Sequence, residues 1–164
     1  MLYIQLIGLL AFLVLVLSFY KKDTIKILIY QMTSNFAYAV HYFLLGAISG
    51  AFVSIVSIIR NILFLCVKGK RKIIVPVLAF LYLSCTYIFY ENIYSILPAI
   101  ANITYMMFML KNSRKWLLKG ETICALMWLI YGIFVKSYSE MLAESILFIS
   151  TVIQLSKYKK SKDT

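Results

Sequence analysis

Acidic residues are scarce: six Asp and Glu stand against seventeen Lys and Arg, and charged residues of both signs make up only 14% of the 164. With 63% of the residues hydrophobic, a water-soluble domain is excluded, because the polar groups are too few to cover its surface. Long polar stretches are missing too. The longest runs from Lys157 to Thr164, so no extramembrane domain is expected. Cys66, Cys85 and Cys124 show no CxxC and no metal-ligand spacing. They read as small apolar packing residues, and neither metal nor cofactor is expected. There is no HExxH, no nucleotide-binding motif and no nucleophile beside a convincing base, so an enzyme is not expected. The segment Met1 to Tyr20 lacks the charged start and small-residue cleavage site of a signal peptide, and reads as a retained first helix.

What fills the chain is apolar runs of about 18 to 20 residues, the length that crosses a ~30 Å hydrocarbon layer at 1.5 Å per helical residue. The expected helices span 2–20, 26–46, 49–67, 73–90, 94–110, 116–135 and 140–156. The fold class is therefore all-α, a polytopic membrane protein with seven transmembrane helices. Every Lys and Arg except Arg60 and Lys136 lies in alternate gaps: Lys21, Lys22 and Lys26; then Lys68 to Lys72; then Lys111 to Lys119; then the tail from Lys157. Basic loops stay cytoplasmic, which puts the N-terminus outside and the C-terminus inside. The net charge of +11 is thus met by anionic lipid headgroups at helix ends, and nucleic acid is not an expected partner.

The charge order implies a 3+1+3 arrangement. Two triple-helix units of the same orientation, 1–68 and 93–156, flank a linking helix within 69–92, and a basic cytoplasmic tail covers 157–164. A shift of about ninety positions pairs Phe19-Tyr-Lys-Lys with Met109-Leu-Lys-Asn, Gly8 with Pro98, and Arg60-Asn61 with Ser150-Thr151. Gly46 to Gly50 reads as a tight outer turn rather than a dimer face. Pro98 is placed inside helix five, where it removes a hydrogen bond and bends the helix.

Depth follows from counting residues to the nearest inner basic anchor. Asn35, Asn102 and Trp128 each lie nine residues from Lys26, Lys111 and Lys119, at roughly 14 Å, close to the midplane. Arg60, eight residues before Lys68, comes at about 12 Å. An unpaired guanidinium there costs at least ~2.5 kcal/mol, so it either faces a partner or a cavity or snorkels to the headgroups. Glu144 is the acid placed well inside a helix, about 8 Å nearer the outside than Arg60. Asn35, Asn61 and Asn102 either bind a polar ligand or bridge helices. Trp128 stacks on a ligand or packs in the core, and His41 shuttles protons or bridges helices. Tyr42, Tyr87, Tyr90 and Tyr138 read as interfacial belt residues.

His41-Tyr-Phe-Leu-Leu-Gly46, Ile58-Ile-Arg60-Asn61, Gln5-Leu-Ile-Gly8 with Ala11-Phe12, Leu97-Pro98 and Met141-Leu-Ala-Glu144 resemble the YgjV-type bacterial inner membrane proteins over nearly the whole chain. That family in turn resembles the SWEET, SemiSWEET and PQ-loop transporters and the vitamin transporter PnuC. The resemblance implies a 3+1+3 bundle in the bacterial cytoplasmic membrane, with substrate held between the units. Some positions depart from it. The Pro-Gln hinge pair is absent, Pro98 being followed by Ala99; Asn61 matches an Asn of SWEET-type sites, while Thr151 stands near the second. Arg60 is foreign to a sugar site and admits an anionic substrate.

The function expected is a small transporter or facilitator, moving a sugar-like or anionic solute by alternating access. Substrate binding is assigned to Arg60, Asn61, Asn102, Asn35 and Trp128, and proton coupling to Glu144 and His41. The alternative is a non-transporting receptor or escort. A homo-oligomer is a candidate state.

Overall fold

The computed structural model describes residues 2–19, 24–67, 71–111 and 113–160. Lys21, Lys22, Lys68, Lys70 and Lys162, on which part of the charge argument rests, lie outside the described residues. Among those described there are seven α-helices and no strand: α1 (Leu2–Phe19), α2 (Thr24–Leu45), α3 (Ile48–Cys66), α4 (Arg71–Ile88), α5 (Leu97–Met109), α6 (Arg114–Phe134) and α7 (Tyr138–Lys160). A single 3-10 turn, Ile93–Ile96, precedes α5. Each helix core is an apolar run with few breakers, and its ends fall where turn chemistry appears. Gly46 takes φ +77° and closes the α2–α3 turn, a conformation that costs a glycine little. Lys136 adopts φ 55° in the α6–α7 turn.

Pro98 behaves differently from expectation. Pro98 sits in the first turn of α5, where its missing N–H has no helical partner to lose, so it starts the helix instead of bending it. Pro76 lies inside α4, and that is where a backbone hydrogen bond is lost. The last helix also continues through Lys157 to Lys160, past the point where the apolar run ends.

Neighbour relations define the architecture. α1 packs on α2, α2 on α3, α3 on α5, α5 on α6, α6 on α7, and α7 returns to α1. Six helices therefore close a ring, and α4 lies outside it against α3 and α5. In that order α3 stands across the ring from α7, and α2 across from α6.

The polarity of this body is inverted relative to a water-soluble protein. Its surface carries Leu2, Leu6, Leu10, Leu13 and Leu17 along α1, Ile73, Val77 and Phe80 along α4, and Leu142, Ile146, Ile149 and Ile153 along α7. Buried instead are Ser34, His41, Ser54, Ser57, Arg60, Asn61, Asn102, Glu140, Glu144 and Thr151. Apolar stripes at helical spacing on the outside and polar groups inside are what a hydrocarbon solvent requires. By length and apolarity alone, two helices of the described residues, Ile48–Cys66 and Lys115–Phe134, are fit to cross a membrane. The others are shorter or diluted by polar residues that the ring turns inward.

Candidate functional site

The ring encloses a cavity of about 120 Å³. All six ring helices line it, α1 through Leu15 alone and the others through polar positions that fall on their inward faces. Ser54, Ser57 and Arg60 come from α3, Asn35, Tyr38 and Tyr42 from α2, Asn102 and Tyr105 from α5. Glu121, Cys124 and Trp128 come from α6, and Glu140 and Glu144 from α7. One turn of helix separates the two α7 carboxyls, so both face inward.

On the α3–α5 wall, Arg60 is 8% exposed. Its Nη1 donates to Asn102 Oδ1 at 3.1 Å and its Nε to Asn61 Oδ1 at 3.2 Å, and its head lies 5.8 Å from the Tyr105 ring centre. Asn102 is fixed in turn: its Nδ2 donates to the Pro98 carbonyl at 2.9 Å, and Ser57 Oγ donates to its Oδ1 at 3.3 Å. Among the described residues, Arg60 is thus held by neutral amide dipoles and forms no ion pair.

The α6–α7 wall is acidic. Glu140 and Glu144 are 3% and 7% exposed, and Oε2 of each has no hydrogen-bond partner. The buried Tyr38 hydroxyl is also unpartnered, and the Tyr42 hydroxyl sits beside Glu140 without a close hydrogen bond. Glu121 completes this wall. A second cavity of about 490 Å³ shares Leu15, Glu121, Glu144 and Leu147 with the first and continues along α7 past Thr151 to Gln154.

An aromatic plug closes the end that carries the Gly46 and Lys136 turns. Tyr42 stacks on Trp128 across the ring at 5.6 Å and 24°, and Trp128 meets Tyr131 edge-on at 5.8 Å. Beyond the plug, two clasps reach between the halves of the ring. Tyr131 of α6 accepts from Gly50 N at 3.0 Å and pairs with Ser49 Oγ at 3.1 Å at the start of α3. His41 of α2 does the same at the start of α7, with Nε2 2.7 Å from Ser137 Oγ. Its Nδ1 lies 2.8 Å from the Ile4 carbonyl. A carbonyl only accepts, so Nδ1 carries the proton and Nε2 accepts from Ser137. Gln5 Oε1 takes the Ser139 N–H at 3.1 Å, and Glu91 Oε1 takes the Ile48 N–H at 2.7 Å. These long-range side chains satisfy N–H groups at helix starts, and α3 has no local side-chain cap of its own.

Of the residues singled out in the sequence, Arg60, Asn35, Asn102, Trp128 and Glu144 are brought to one cavity. Asn61 stands behind Arg60, with its Nδ2 buried and unpartnered. His41 is fully buried in the clasp, away from the cavity wall. Tyr42, expected in the interfacial belt, is 1% exposed in the plug, because α2 turns this face inward; Tyr87 and Tyr138 are exposed. The sequence reading passed over Glu121 and Glu140. Acids are rare in this chain, but nothing in the sequence separates an inward-facing Glu near a helix end from an interfacial one.

A family model described as bacterial inner membrane protein, Imp-YgjV, matches residues 2–162. No curated protein and no solved structure matches the chain.

Proposed function

The chain belongs to the Imp-YgjV family of bacterial inner membrane proteins, and from that premise we propose that it is a small carrier moving a polar solute through the cavity at its centre. The observation that carries this reading is a cavity lined by six helices, with three carboxyls and a guanidinium among its lining residues, inside a body with an apolar exterior. A merely structural bundle has no use for buried carboxylates and a guanidinium left without an ion pair. In this reading all seven helices cross the membrane in a 3+1+3 order related to SWEET-type carriers. The N-terminus is outside and the C-terminus cytoplasmic, where lipid headgroups meet the basic helix ends. Lys111 and Lys119, whose Nζ atoms lie 4.0 and 4.7 Å from the Trp116 ring centre, mark that inner interface.

The plug and clasps then seal the outer side, while the second cavity leads from Glu121 and Glu144 toward the cytoplasm. Exchange of that seal for an inner one is the alternating step, one half of the ring rocking on the other. Arg60, Asn102, Asn35 and Trp128 hold the solute, and Asn61 braces Arg60. Glu144 carries the coupling proton; His41, with both ring nitrogens engaged, serves the outer seal. Chemistry on the solute is not part of this reading.

The test is exchange uptake into liposomes holding the purified protein, with a labelled panel of sugars, carboxylates and amines, wild type beside Arg60→Gln. Saturable uptake of one class, lost in the variant, is the expected result. Binding without flux in the same preparation makes the protein a receptor or escort.

A further inference from the structure

The two walls of the cavity carry opposite charge and do not neutralise each other. Arg60 projects from α3, and Glu140 and Glu144 from α7 across the ring, with Glu121 on α6 beside them. Acids outnumber bases three to one among the lining residues, so an anion or an uncharged sugar leaves the surplus unmet. Four buried oxygens here lack a partner: Glu140 Oε2 and Glu144 Oε2, which accept, and the facing Tyr38 and Tyr42 hydroxyls of α2, all four side chains more than nine-tenths buried. Buried carboxylate oxygens want N–H donors. Among the described residues, no group of three or more His, Cys, Asp and Glu is placed to hold a metal ion, and an organic cation with N–H groups supplies the donors that these oxygens take. Tyr38, Tyr42 and Trp128 line the same cavity, and aromatic rings are favourable neighbours for an organic cation.

We infer that the solute bound here carries a primary ammonium group, seated on the α7 wall between Glu140 and Glu144, with the rest of the molecule turned toward Arg60. Its N–H donors serve the two unpaired carboxylate oxygens, Glu140 Oε2 and Glu144 Oε2, with one left for the Tyr38 or Tyr42 hydroxyl; a quaternary ammonium, with no donor, leaves the carboxylates unmet. Arg60 repels a second cationic end, so the far end is neutral or anionic. A small amino alcohol and a small amino acid share this chemistry, and Arg60 distinguishes them. This inference rests on the proposed function for its site, while the assay below reads binding alone.

Binding is measured on the detergent-purified protein by quenching of tryptophan fluorescence, since Trp128 lines the cavity, and by the shift in melting temperature. The probes are ethanolamine, alanine, tetramethylammonium, lactate and glucose. Ethanolamine or alanine is expected to bind at least about tenfold more tightly than the other three. Glu140→Gln and Glu144→Gln, near-isosteric changes, weaken that binding by about tenfold each while the unliganded protein still melts cooperatively. Arg60→Gln weakens alanine but not ethanolamine if the far end is a carboxylate, and leaves the order unchanged if it is neutral; either result keeps the ammonium assignment. Tetramethylammonium, lactate or glucose binding as well as the primary amines overturns it, and the wild-type panel decides this even where a variant does not fold. Ammonium binding without uptake into liposomes removes the carrier function and leaves this inference standing. Uptake of glucose or lactate with no amine binding does the reverse.

Discussion

At the scale of single residues, the pair Arg60 and Asn102 shows how a buried charge is kept without a counter-ion. Asn102 presents Oδ1 to the guanidinium and is anchored by its own Nδ2 on Pro98. Asn102→Ala removes that acceptor and leaves Arg60 Nη1 short of a partner, while Ser57 keeps the Val53 carbonyl and Tyr82. The expected loss is about 2–3 kcal/mol, read as a lower melting temperature in detergent together with loss of solute binding. Arg60 was legible in the sequence because a lone base within an apolar run has few bland explanations. Glu121 and Glu140 were not, for a physical reason. Glu121 follows Lys119 closely and passes for an interfacial charge. Glu140 lies in the first turn of α7, where an acid is welcome to the helix dipole on any surface. Only the rotation of each helix about its axis separates these roles.

Between elements, the decisive contacts are those that cap one helix with a side chain of another. Gly50 leaves the room on α3 that lets the Tyr131 side chain of α6 reach its backbone. A Cβ there would stand 2.7 Å from the Tyr131 hydroxyl and 2.9 Å from its ring. Gly50→Ala is expected to cost about 1–3 kcal/mol through overpacking of this contact, visible as a lower midpoint of thermal unfolding. Tyr131→Phe keeps the ring and removes only the hydroxyl. It should cost about 1–2 kcal/mol and speed amide exchange at the first turn of α3, with α5 unchanged as the internal control. Equal exchange in both proteins means that the clasp does not hold the seal. Helix positions themselves were readable from apolar run length, within a few residues at nearly every end. Pro98 was misplaced because its effect depends on whether it stands within a helix or at its start, and the 3-10 turn of Ile93–Ile96 that supplies this start leaves no periodic trace.

For the molecule as a whole, the inverted polarity is the controlling fact, and the coupling proposal belongs here. Glu144 faces the cavity together with Glu140, Glu121, Tyr38 and Arg60. If Glu144 exchanges its proton for the solute, Glu144→Gln leaves the weakened binding measurable but flattens the dependence of uptake on an imposed pH gradient. Uptake by the variant that still follows the gradient removes Glu144 from that role. The sequence by itself determined that this chain is all-helical, apolar enough to need a membrane, and interrupted by charge at regular intervals, because those properties follow from composition and run length alone. Which polar residues share a cavity, and that acids dominate its far wall, only the tertiary structure decided. An apolar helix is hydrophobic nearly all round, so its sequence does not fix its rotation; closure of the ring, with each buried polar group seeking a partner, does.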